Sequence, residues 1–129
     1  MRPIPLDEDI NLGHPSEVTR EDLATTAQSA ADSIAWRIAG IAAEMKTVPT
    51  LANLKYAGMA HKAIGTARDR VFSKLIDEAR DWVHSLPWGS SEWHAAIAQS
   101  KMILDCRDAF AEGASRRIGD VLNASTQTG

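Results

Sequence analysis

Prolines stand at positions 3, 5, 15, 49 and 87 and nowhere else. From Thr19 onward the chain therefore divides into three long stretches whose backbones no proline interrupts. They run from about 19 to 46, 50 to 86 and 91 to 122. None shows the strict alternation or β-branched enrichment of a strand, and in all three the apolar residues return at spacings of three and four. The expected class is all-α: an elongated bundle of three long antiparallel helices of ~28, ~37 and ~32 residues, joined by short turns at "TVPT" and "LPWGSS". Residues 1–18 read as an extended N-terminal arm, 19–122 as the helical bundle and 123–129 as a flexible polar tail. Thr19 with Asp22 forms a capping pair at the first helix start.

At 129 residues the chain has room for one core. Its 14 basic and 17 acidic residues are interspersed, for a formal net charge of −3. Such a surface gathers neither phosphate backbones nor anionic lipid, so neither nucleic acid nor membrane is the expected partner. No apolar run approaches the ~20 residues that span a bilayer. The opening "MRPIPLDEDINLGHP" is acidic where a signal peptide is basic and then apolar. Cys106 is the single cysteine and forms no internal disulfide, which fits a reducing, cytoplasmic setting.

On a 100° wheel the first stretch puts Leu23, Ala27, Ala30, Ile34, Ile38, Ile41 and Met45 in one band. The second aligns Leu54, Gly58, His61, Gly65, Arg68, Phe72, Leu75, Ile76, Ala79, Val83 and Leu86. The third aligns Trp93, Ile97, Ser100, Leu104, Arg107, Ala111, Ala114, Ile118 and Leu122. Opposite the first band stand Trp36, Gly40 and Ala43; away from the second point Tyr56, Met59 and Ala63. A solvated helix carries charge in such places. These six residues are the interface candidates, covered either by another chain or by Ile4, Leu6, Ile10 or Leu12 of the arm.

The bands also hold polar residues. Arg68 and Arg107 fall near mid-helix on the core lines, with Arg37 on the flank of the first. Buried cations must reach water, pair with a carboxylate or meet an anion, so these three are the candidate anion or acidic-ligand site. His61, between Gly58 and Gly65, is expected to be buried and hydrogen-bonded.

The stretch "AHKAIGTA", residues 60 to 67, resembles the phosphoacceptor helix of histidine phosphotransfer domains, which are helical bundles of similar size. The shared features are Ala60, His61, Gly65 four residues on, and Thr66. The resemblance implies that His61 is the phosphoacceptor and that Gly65 clears space for a response regulator's aspartyl phosphate.

Other chemistry finds little support. Asp77, Asp81 and His84, with Glu92 and His94 past the turn, read as a solvated acidic face, because paired inward Glu-x-x-His units are missing. No metal and no cofactor are expected, and neither a nucleophilic triad nor a glycine-rich phosphate loop is visible. Trp82, Trp88 and Trp93 are expected to cluster and close one end of the bundle. The expectation is a non-enzymatic, small accessory protein, phage-like or mobile-element-like, that works through helix faces with a protein partner or as a homo-oligomer.

Overall fold

A computed structural model describes residues 12–128, with side chains to Ala124. A short 3-10 turn, Pro15–Glu17, leads into α1 (Arg20–Glu44), α2 (Leu54–Ser85) and α3 (Ser91–Thr128). The described residues form an all-α three-helix bundle. α3 packs along both other helices. Arg20 meets Cys106 and Asp32 meets Arg117, so α1 and α3 run the same way, while Phe72 meets Phe110 and Val83 shares a groove with Ile97, so α2 is reversed. α3 continues beyond Leu122, where the sequence reading ended the bundle, through residues read as a tail. The arm's Ile4, Leu6 and Ile10 lie outside the described residues; Leu12 packs against the core.

Local chemistry accounts for the helix ends. Thr19 accepts from the Asp22 N–H while the Asp22 carboxylate accepts from the Thr19 N–H, a reciprocal cap at 3.0 Å each way. At the other end of α1, Lys46 adopts φ 55. The Thr47 N–H reaches the Ala42 carbonyl and the Lys46 N–H that of Ala43, the two bonds of a Schellman turn. Asn53 caps α2 through the Lys55 N–H.

Alanines 30, 31, 35, 42, 60, 67, 79, 96 and 114 make up nine of the 22 buried apolar residues described. Such small side chains bury little area each and let helix axes approach closely. The larger contributions come from Ile34, Ile38, Ile103, Ile118 and Leu122, and from Phe72 set edge-on against Phe110 at 5.7 Å between centroids. The chain entering α1 is tied down by Gln99, whose amide donates to the Pro15 carbonyl at 2.9 Å and also to that of Val18.

Two of the three expected core lines are displaced. α1 buries its expected band from Leu23 to Ile38, but Met45 is exposed, and Ala31, Ala35 and Ala42 form a second buried side. In α2 the buried line is Tyr56, Ala60, Ile64, Ala67, Val71, Leu75 and Ala79, about a third of a turn from the Leu54–Gly58–His61–Gly65 line in its first half. In α3 it runs Ala96, Ile103, Phe110, Ala114, Ile118 and Leu122. The first half of that line is one residue out of step with Ile97, Leu104 and Arg107.

Candidate functional site

The displaced lines decide which residues face outward. Tyr56, expected on an outer face, is 1% exposed and bonds through its hydroxyl to Thr47 Oγ1, so it is core. Met59 and Ala63 are half-buried against that core rather than displayed. Trp36 keeps its outward position at 67% exposure, with Gly40 and Ala43 exposed beside it. Ser29, seven residues before Trp36 and so on the same side of α1, is buried.

Residues moved off the core lines build a groove on the outer seam of α2 and α3. Its walls carry Ile76 and Val83 from α2 and Ile97 and Leu104 from α3, two pairs each seven residues apart. Ile97 and Leu104 stay 41% and 37% exposed. The groove holds about 280 Å³ and continues past Ile76 and Arg107 into a second depression of about 260 Å³. The Ser100 hydroxyl oxygen lies buried in its lining without a hydrogen-bond partner, an arrangement that costs on the order of 1–3 kcal/mol and that an incoming polar group could relieve. Arg80 and His84 rim one end, Arg107 stands at the junction of the two depressions, and Asp69 and Asp77 join Arg68 at the other end.

The expected arginine trio does not converge. Arg68 and Arg107 do line one depression, but Arg107 is exposed and pairs with Asp108 at 3.5 Å. Arg37 lies on the α1–α2 seam instead, where it lines a groove with Met59 and Ala63. Among the described residues one cation is held unusually firmly. Arg117 makes two bonds to Asp32, at 2.8 and 3.3 Å, and that hydrogen-bonded carboxylate holds its guanidinium above the ordinary arginine range.

His61 is exposed, contrary to the buried site expected from its glycine neighbours. The glycines do not mark a close helix approach: no atom lies within 4 Å of where a Cβ would stand at Gly58 or Gly65. The tryptophan corner is only partly assembled. Trp88 and Trp93 meet at 5.6 Å between centroids, yet Trp88 is 85% exposed, and Trp82 packs edge-on against His14 instead. Among the described residues no three His, Cys, Asp or Glu side chains stand where they could hold a metal ion, and no helix is long and apolar enough to cross a membrane. Compared with protein-family models, curated proteins and solved structures, the chain matches none of them.

The outer α2–α3 groove was legible as an apolar stripe but was assigned to the core. Lys62 and Arg70, which share the α1–α2 groove with Arg37, were not singled out; their signal is the spacing of four through Lys62, Thr66 and Arg70.

Proposed function

We propose that the protein is a non-enzymatic interaction protein that works through helix faces, and that the outer α2–α3 groove binds a second copy of the chain. The observation that carries this reading is the half-exposed Ile97 and Leu104 facing Ile76 and Val83 on an outer seam. Heptad-spaced apolar side chains on two neighbouring helices form the seam on which further helices pack. Charge is compatible with a second copy, since the groove has Arg80 toward one end, and Asp69 and Asp77, with Arg68 and Arg107 among them, at the other. A two-fold, antiparallel copy would lay the same apolar stripe of each chain on the other and bring each Arg80 toward the end that carries Asp69 and Asp77, as an isologous interface requires. Leu104→Glu is the test, because it puts a charge in the seam at a position that is already partly exposed. Sedimentation should show wild-type self-association lost in Leu104→Glu with helicity kept. A wild type that sediments as a monomer at all concentrations would overturn the reading.

A second reading is favoured by one observation, the exposed His61 imidazole beside an open Gly65. That is the presentation a phosphoacceptor needs, although Ile64, a core residue here, stands where histidine phosphotransfer domains usually carry lysine. In this reading a ring nitrogen of His61 attacks the phosphorus of an aspartyl phosphate on a response regulator. The P–O bond breaks, a P–N bond forms and the aspartate leaves as carboxylate. Acid-labile label on the wild type but not on His61→Gln would support it. An unlabelled wild type would exclude it.

A further inference from the structure

The groove between α1 and α2 brings three cations together, from two helices, around an apolar floor. The chain as a whole is acidic, with a formal net charge of −3. Yet every charged residue lining this groove is a cation: Arg37 from α1, and Lys62 and Arg70 from α2. None of the three forms an ion pair with a described residue. No carboxylate lines the groove with them, whereas Arg68 and Arg107 share their depression with Asp69 and Asp77. Between the cations the floor is apolar, made by Ile38 and Met59 with Ala63 leaving room beside them, and the groove holds about 410 Å³.

The spacing of the cations separates the ligand classes. Lys62 and Arg70 lie eight positions apart on one helix face, about 12 Å along the axis, with the Thr66 side chain between them and Arg37 across the groove. A single carboxylate or phosphate would need these groups to converge on one point. A row of cations beside an apolar trough instead matches an extended ligand with acidic residues on its flanks and apolar residues on one stripe. From this complementarity we infer that the α1–α2 groove docks an acidic amphipathic helix of a partner protein, its apolar stripe on Met59 and Ala63 and its carboxylates against Arg37, Lys62 and Arg70. This site lies on a different seam from the proposed self-interface, so neither depends on the other.

The test uses the full chain and a fluorescein-labelled amphipathic peptide of roughly four turns, with leucines on one stripe and glutamates flanking it. Fluorescence anisotropy should show saturable one-to-one binding. The triple variant Arg37→Glu, Lys62→Glu, Arg70→Glu should bind at least about tenfold more weakly, and should instead bind the same peptide with lysines in place of glutamates. Recovery with the charge-swapped peptide separates a lost site from a lost fold. The proposal is overturned if the wild type does not bind, if a sequence-scrambled peptide or polyglutamate of equal charge binds as well, or if the triple variant binds the glutamate peptide unchanged.

Discussion

A few side chains hold the described part of the chain in register, and their partners set the cost of removing them. Gln99 is one: its amide bonds the carbonyls of Pro15 and Val18, and Val18 is itself buried in the core. Gln99→Ala leaves two carbonyls without their donor, so we expect a loss of about 1–2 kcal/mol in urea denaturation; an unchanged midpoint would show that water replaces the amide fully. Asp32 bonds Arg117 across the α1–α3 seam, but both side chains keep part of their exposure. Solvent screening limits that pair to about 1 kcal/mol, so Asp32→Asn should lower the denaturation midpoint only slightly. Trp36 stands at the other extreme. With its indole mostly in solvent, Trp36→Ala should change folding stability by less than ~0.5 kcal/mol, and a loss of several kcal/mol would show that the indole is packed.

The helices themselves were legible because their ends are chemically marked. Pro49 and Pro87 lie just outside α1 and α2, and the Thr19–Asp22 cap was readable from residue types alone. Which face each helix buries was less legible, for a reason visible in particular residues. In the first half of α2 the true line is Tyr56, Ala60, Ile64 and Ala67, and the rejected one contains Gly58 and Gly65. The expected phase fits the second half, where Phe72, Leu75 and Ala79 are buried, but over 32 residues the buried face drifts around the helix, so one straight line carried back to Leu54 misses Tyr56 and Ile64. In α3 the true and false lines are neighbours, Ile103 against Leu104 and Ala96 against Ile97, both apolar. The same ambiguity makes Tyr56 read as a surface residue, and Ile97 and Leu104 as core, from the sequence alone. One element carries a correctable flaw, since Lys46 sits at φ 55, where a side chain costs roughly 1 kcal/mol. Lys46→Gly should therefore stabilise the protein by about 0.5–1 kcal/mol, offset in part by the entropy of the unfolded glycine; a lower melting temperature would show that Lys46 makes a contact worth more than its strain.

At the scale of the whole molecule, an alanine-rich core and half-exposed apolar grooves have one physical origin. Three helices whose inner lines carry many alanines pack closely, and large apolar side chains such as Ile97, Leu104 and Trp36 are left on the outside. A bundle built this way gains by burying those faces against another surface. We propose that the outer α2–α3 seam does so against a second copy, which molar mass by light scattering over a range of concentrations would reveal. For a chain of 14.0 kDa the mass should rise with concentration toward about twice that value, a rise abolished by Leu104→Glu. A constant mass of one chain for the wild type, or an undiminished rise in Leu104→Glu, would contradict it.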